Sequence, residues 1–355
     1  MSTQKIRASI IGASGYTGGD LMRILLMHPN VEIKSLTSER FAGVPVTKLN
    51  PNLRSFTQLA FTSVKEIKPE ENDVIFLCVP HEKAQDYVAN YWKNFPHLKI
   101  IDLSADFRIH DQKTYEHYYC EHKHPELLKE AVYGIPEIHR EQIKKARLVA
   151  CPGCLPTSSI LPLYPVVKAG LIDLSHIVID SKIGSAAAGA SFDISTHHPE
   201  RQGVVRAYKP SGHRHIAEME QELSEAAGVP VKVSFSPHGV EMVRGIFTTV
   251  HAFLNKPVKD VDMWKLYRAA YGTSPFIRIV KDKETLYRYP EPKMVAGTNF
   301  ADIGWELDEH ANRIVIMSSI DNLIKGSGGQ ATQCMNLMFG LDEKTGMWQP
   351  GLHPY

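Results

Sequence analysis

The chain has 355 residues, 43% hydrophobic and 22% charged, with 40 Lys and Arg against 39 Asp and Glu. That length predicts about two domains of roughly 150 residues each, and the composition is that of a globular protein, not a disordered one. The near-zero net charge excludes a global field drawing the protein to nucleic acid or an anionic membrane, and no stretch approaches the roughly 20 apolar residues of a membrane span.

The N-terminal run before the first glycines is too short for a signal peptide, so a cytoplasmic protein with reduced thiols is expected, in which five cysteines require no disulfide. In chain order, "IRASIIGA", "EIKSLTS", "VIFLCVP" and "KIIDLSA" read as short strands, with helix-patterned segments such as "DLMRILLMH" between them. This alternation predicts βαβ units and a parallel sheet. Beyond Cys154 come longer strand-like runs, "IVIDSKIG", "VKVSFSP", "IFTTVHAFL" and "RIVIMSSI", around the helical "HIAEMEQELSEAAG". They predict an α+β domain with a mixed sheet. The expected fold class is α/β, with an N-terminal Rossmann-type nucleotide domain over 1–150 and a C-terminal α+β catalytic and dimerisation domain over 151–325. The final helix-patterned stretch, "GGQATQCMNLMFG", is expected to return to the first domain, so that residues 326–355 complete it.

"SIIGASGYTGGDL" sets Gly12, Gly15 and Gly18 between a strand and a helix, a GxxGxxG variant of the dinucleotide fingerprint. Gly12, Ala13, Ser14, Gly15, Thr17 and Gly18 are therefore the candidate phosphate cradle, in which glycine permits close backbone approach and the helix start attracts the pyrophosphate. Near the end of the second strand, Thr37, Ser38 and Arg40 suit the 2′-phosphate of NADP(H), while Glu39 offers the alternative of a ribose hydroxyl partner.

"CPGCLPTSS" carries two cysteines. A redox pair and a zinc site are both weighed against a single nucleophile; Cys120, His122 and His124 match no common zinc pattern, and no metal is expected. "PGC" reads as a turn and the following stretch as a helix ending at Gly170. Cys154 then stands at a helix start, where dipole and amide groups favour a thiolate. Cys151 reads as a buried small residue.

The ordered set "GASGYTGGDL", "HPN", "DLSADFR", "YGIPE", "PGC", "GHRHIAE" and "DNLIKGSGGQA" resembles the N-acyl-gamma-glutamyl-phosphate reductases, relatives of aspartate-semialdehyde dehydrogenase. The resemblance implies that Cys154 attacks an acyl phosphate to form a thioester, which is reduced by NADPH and released as a semialdehyde. It also implies that Asn322 touches the cofactor. His213 and His215 at the entrance of an amphipathic helix are the acid/base candidates, with His215 favoured. Small residues 184–191 allow close approach to the nicotinamide or phosphate, making Ser185 and Gly189 candidate cofactor contacts. Arg108, Lys182, Arg201, Arg206, Lys209 and Arg214 are the cations available for phosphate and carboxylate.

"HHPERQGVVRAYKP" and "SERFAGVPV" resemble the branch of the family whose glutamyl or 2-aminoadipyl substrate is joined through its amino group to a small acidic carrier protein. A local basic patch fits such a partner. Ordinary N-acetyl-gamma-glutamyl-phosphate reduction and aspartate-semialdehyde dehydrogenation are the alternatives, and a homodimer or homotetramer is expected.

Overall fold

The structure, a computed structural model, describes residues 5–354. The described residues divide into two compact units, one reaching to Pro152 and including Ser327–Trp348, the other Gly153–Gly326 with the residues from Gln349 on.

In the first unit the apolar run Ile6–Ile11 forms β1, followed by helix α1 (Tyr16–Met27) and strand β2 (Val31–Leu36). The strands β3 (Val74–Leu77), β4 (Lys99–Asp102), β5 (Ala131–Tyr133) and β6 (Leu148–Ala150) complete a six-stranded sheet in the order β2-β1-β3-β4-β6-β5. Every pairing in it is parallel. Strand alternation sends Ala8, Ile10, Phe76, Ile101 and Val149 to one face and Ile11, Ile75, Leu77, Ile100 and Leu148 to the other, each into its own buried cluster. Helix α2 (Ala84–Asn94) covers the second face with Ala84, Val88 and Tyr91. The first face takes Leu21, Met22 and Leu25 of α1.

In this unit α3 (Pro136–Lys145) also packs, and so does the C-terminal helix (Gly329–Met338), whose Ala331, Cys334, Met335, Leu337 and Met338 join the same buried cluster as Ile10 and Leu21. The helix is held there by polar contacts too. His28 Nε2 lies 3.0 Å from Asn336 Oδ1, and Gln333 Nε2 donates to Glu343 at 2.8 Å.

In the second unit, helix α4 (Cys154–Lys168) leads to a seven-stranded mixed sheet. Its strands are β7 (Ile172–Ile183), β8 (Val205–Ala207), β9 (Val233–Val240), β10 (Ile246–Leu254), β11 (Ile277–Ile279), β12 (Ala301–Asp308) and β13 (Arg313–Ile320), in the order β11-β12-β13-β10-β7-β9-β8. Helices α5 (His215–Ala227) and α6 (Asp260–Tyr271) belong to the same unit. Prolines at 162 and 165 sit inside α4 without ending it. Pro165 has no N–H to give the Leu161 carbonyl, which instead accepts the hydroxyl of Tyr271 of α6 at 2.6 Å; the Pro162 carbonyl accepts that of Tyr267, also at 2.6 Å. Between α4 and the sheet, Ser158 Oγ, Thr248 Oγ1 and Ser181 Oγ form a buried hydroxyl chain with spacings of 2.6 and 2.8 Å. Gly170, with φ +60°, follows the end of α4 in the left-handed conformation that terminates many helices.

Candidate active site

The glycine loop stands at the carboxyl end of β1, where the sheet order turns outward to β2 on one side and β3 on the other. This is the topological switch point at which open α/β sheets bind ligands. Gly12 has φ +81°, and a Cβ there would stand 2.5 Å from the carbonyl oxygen of Cys78. One on Gly18 would meet Ala13 backbone atoms at 2.6 Å, whereas Gly15 faces open space. Helix α1 begins after Gly15 with no side-chain cap and no acidic residue in its first turn, which leaves an electropositive end suited to a pyrophosphate.

Thr37 Oγ1 accepts the amide of Gly12 at 3.3 Å and Ser38 Oγ donates to Ser14 Oγ at 2.8 Å. Both hydroxyls thus brace the loop from within. Arg40 is exposed, with its guanidinium 5.1 Å from the Phe41 ring centroid. The Glu39 carboxylate is taken up by the Val64 amide at 2.8 Å and by Ser63 Oγ at 3.3 Å. These donors compete with any ribose hydroxyl for the carboxylate.

The second unit contains a cavity of about 320 Å³ whose wall includes Cys154, His213, His215, Arg201, Arg206 and Arg214. Cys154 is the first residue of α4, after Gly153 as N-cap, with no side-chain cap, so the positive end of the helix dipole falls on the thiol. The amide of Gly153 donates to Glu218 Oε2 at 2.9 Å, and Glu218 is fully buried in the first turn of α5. His215 opens that helix. Its Nε2 lies 3.9 Å from Glu218 Oε1, and a Cβ on Gly153 would stand only 2.8 Å from it. The imidazole therefore packs on the backbone that carries the thiol.

His213 is a neighbour of a different kind. Its Nδ1 accepts the backbone N–H of His215 at 3.2 Å, and its ring lies edge-on to His215 and Phe235 at 4.8 and 5.3 Å. Burial, reinforced by the charges of Arg214 and Lys209, pushes its pKa down to about 4. A neutral imidazole accepting a backbone N–H fixes the entrance of α5 and has little capacity to supply a proton near pH 7.

The cations expected near phosphate and carboxylate divide. Arg201, Arg206 and Arg214 line the cavity. Lys182 does not: strand alternation turns it from the side of Ile183, which does line the cavity, and its Nζ pairs with Asp180. Arg108 is buried in the first unit, where Nε donates to the Cys151 carbonyl at 2.6 Å and Nη2 to the Leu103 carbonyl at 2.9 Å. It ties down the end of β6. Lys209 is exposed in a loop with φ +45°.

Ser185 lines the same cavity, at the start of a 3-10 turn that ends on Gly189 with φ +87°. Asn322 is buried; its Oδ1 accepts the Gly245 amide at 2.8 Å, and its Nδ2 has no hydrogen-bond partner among the described residues. An orphaned buried donor of this kind fits a residue that meets a ligand. Cys120, His122 and His124 do not converge on an ion; His122 Nε2 lies 2.9 Å from the Asp106 carbonyl, and no group of three or more potential metal ligands occurs among the described residues. Cys151 is buried in the core of the first unit.

Three participants were not read from the sequence. Glu218 follows His215 by three residues, a spacing that puts both on one helix face, and that signal was available. Tyr208 also lines the cavity, its hydroxyl pushed up in pKa by burial and by the charge of Cys154. Gly326 carries no chemistry, yet a Cβ there would stand 2.6 Å from Cys154 Cβ.

The first unit has the architecture of the dinucleotide-binding folds, and the second supplies a thiol at a helix start in a cationic cavity. Two family models agree with this division: the semialdehyde dehydrogenase NAD binding domain matches residues 7–146, and the semialdehyde dehydrogenase dimerisation domain matches 154–322. The chain belongs to the semialdehyde dehydrogenase family, and its cofactor is a nicotinamide dinucleotide.

Among its relatives, a protein of Cenarchaeum symbiosum is 48% identical over 98% of this chain and 100% of its own length, and is named a LysW-L-2-aminoadipate/LysW-L-glutamate phosphate reductase. One from Thermomicrobium roseum, named a LysW-L-2-aminoadipate 6-phosphate reductase, is 49% identical over 98% of this chain and 99% of its own. The crystal structure of aspartate semialdehyde dehydrogenase II from Vibrio cholerae, complexed with ASA, shares the fold with a TM-score of 0.70 at 16% identity, covering 95% of this chain and 99% of that one.

Proposed function

We propose that this chain reduces a carrier-protein-linked 2-aminoadipyl or glutamyl phosphate to the semialdehyde and phosphate, using NADPH and a Cys154 thioester. The observation that carries the reading is the single cavity in which a helix-start thiol, an imidazole packed on its backbone and three arginines meet. Relatives named for LysW-linked phosphates, alike along nearly the whole chain, support the substrate class over acetylated glutamyl phosphate.

Cys154 attacks the acyl carbon; a C–S bond forms, the C–O bond to phosphate breaks, and the arginines balance the charge of the leaving group. Glu218 holds the Gly153 amide and so fixes the turn that presents the thiol. The glycine loop of the first unit would hold the pyrophosphate of the dinucleotide, which when bound would supply the hydride that takes the acyl carbon to the aldehyde level. His215 moves the proton at the acyl oxygen as the C–S bond breaks and the thiolate is restored, and His213 keeps His215 in place. The preference for NADPH rests on exposed Arg40 beside a Glu39 already engaged by Val64. A homo-oligomer built through the second unit is part of the same proposal, supported by the dimerisation-domain match.

The test compares kcat/KM for carrier-linked and N-acetylated acyl phosphates at low and moderate salt. The carrier-linked substrate should be strongly preferred, with an advantage that shrinks as salt screens the carrier's charge. Efficient use of the acetylated substrate, without response to salt, defeats the carrier assignment.

A further inference from the structure

Arg201 owes its position to a glycine. Gly239 of β9 is paired in register with Ile183 of β7 on one side and with Arg206 of β8 on the other. It lies on the buried face of β9 with Val233, Phe235 and Pro237, where strand alternation calls for another side chain. A Cβ there would stand 2.5 Å from Arg201 Nη1 and 3.3 Å from Cζ. The guanidinium therefore lies directly over the glycine α-carbon, and a buried strand glycine is a common mark of such close approach. From that position Nη2 donates to the Ile183 carbonyl at 2.9 Å.

Arg201 Nε is buried without a hydrogen-bond partner among the described residues. The charge bearing on Arg201 is that of Arg206, and no carboxylate pairs with it among the described residues. A half-buried guanidinium next to a second cation and lacking a counter-ion is electrostatically incomplete, and it faces the cavity that contains Cys154.

We propose that Gly239 and Arg201 form a preorganised oxyanion seat in the thiol cavity, and that the absence of a side chain at Gly239 is what lets the guanidinium occupy it. The ligand is an oxyanion of the substrate, a carboxylate or phosphate oxygen, received by the planar N–H fork of arginine with Arg206 adding charge. This assignment deepens the acyl-phosphate reading and rests on it for the owner of the oxyanion. Of the two uses the sequence offers Arg201, contact with a carrier and contact with phosphate or carboxylate, the seat takes the second.

The experiment needs no turnover. Inorganic phosphate and glutarate are titrated separately as protectants of Cys154 against iodoacetamide in the full-length protein, and melting temperatures verify folding. At least one anion should protect the wild type, and the half-protecting concentration should rise roughly tenfold or more in both Arg201→Gln and Gly239→Ala, the scale of a lost charged hydrogen bond. Lys256→Ala, at an exposed site elsewhere, should leave it unchanged.

Loss confined to phosphate assigns the seat to the transferred phosphate, and loss confined to glutarate assigns it to the substrate carboxylate; either supports the seat. An unprotected wild type, or undiminished protection in a folded Arg201→Gln or Gly239→Ala, overturns it. Should Gly239→Ala not fold, Arg201→Lys, which keeps the charge but lacks the fork, must weaken protection, and full protection there overturns the seat equally. A seat that passes in a protein turning over no acyl phosphate would defeat the functional reading instead, so the two failures are distinguishable.

Discussion

Gly326→Ala should disable the nucleophile without touching a reactive atom. Gly326 lies in a π-helical turn, Ile324–Gly328, and its amide donates to the Asp321 carbonyl at 2.9 Å. The Asp321 carboxylate is itself held by Arg244 at 3.0 Å, by the Gly297 amide at 2.6 Å and by the Leu323 amide at 2.8 Å, so the turn has little freedom to retreat. The added methyl would stand 2.6 Å from Cys154 Cβ and 3.2 Å from its Cα. Carbon atoms in contact keep about 3.5 to 4.0 Å, so the thiol must move by roughly 1 Å. Overpacking of this kind costs about 1 to 3 kcal/mol of stability, and a 1 Å misplacement of a reacting group can cost about 100-fold in rate. The assay pairs steady-state kcat with the rate of Cys154 alkylation and with cofactor binding by fluorescence. A fall in kcat of roughly 100-fold with cofactor affinity kept is expected. Wild-type turnover in a folded Gly326→Ala would refute the reasoning.

His215→Asn should lower kcat by roughly 100-fold or more, while His213→Asn, whose amide oxygen can still accept the His215 N–H, should retain more activity; steady-state kinetics of both variants decides between them. Arg40→Ala should cut the preference for NADPH over NADH roughly tenfold, read from the ratio of kcat/KM values for the two cofactors. Stability should carry the mark of His213. Its folded pKa of about 4 lies below the ordinary 6.5, so the unfolded chain takes up the proton first as pH falls. This group therefore destabilises the fold progressively from about pH 6.5 down to about pH 4, by at most about 1.4 kcal/mol per pH unit, and no further below. Urea midpoints against pH should fall more steeply in the wild type than in His213→Asn across that window.

The parts of the molecule legible in sequence were those with local grammar. The glycine loop after β1, the helix that starts on Cys154 and the histidines at the entrance of α5 each show a short pattern that local backbone physics enforces. The cations had no such grammar. Arg108 and Lys182 stood in suggestive motifs, but a guanidinium directed at the Cys151 carbonyl and a lysine paired with Asp180 are consequences of tertiary placement and strand parity. That Thr37 and Ser38 end a strand beside the loop is legible; that their hydroxyls brace it is not, because Gly12 and Ser14 come within reach only after folding. Gly239 and Gly326 were invisible for the same reason. A glycine that makes room is recognisable only once the group it makes room for is known, and Arg201 and Cys154 reach them from 38 and 172 residues away, counting 239 − 201 and 326 − 154.

The central claim is that the acyl group is held on Cys154, and the reverse reaction reads it directly. With the carrier-linked semialdehyde and NADP but no phosphate, the thiohemiacetal on Cys154 is oxidised to the thioester and turnover stops for want of an acceptor. The account predicts a stopped-flow burst of one NADPH per chain, full in Cys151→Ala, absent in Cys154→Ser, and followed by steady turnover when phosphate is added. A burst that survives Cys154→Ser, or steady turnover with no phosphate requirement and no acylated Cys154 by mass spectrometry, would contradict it.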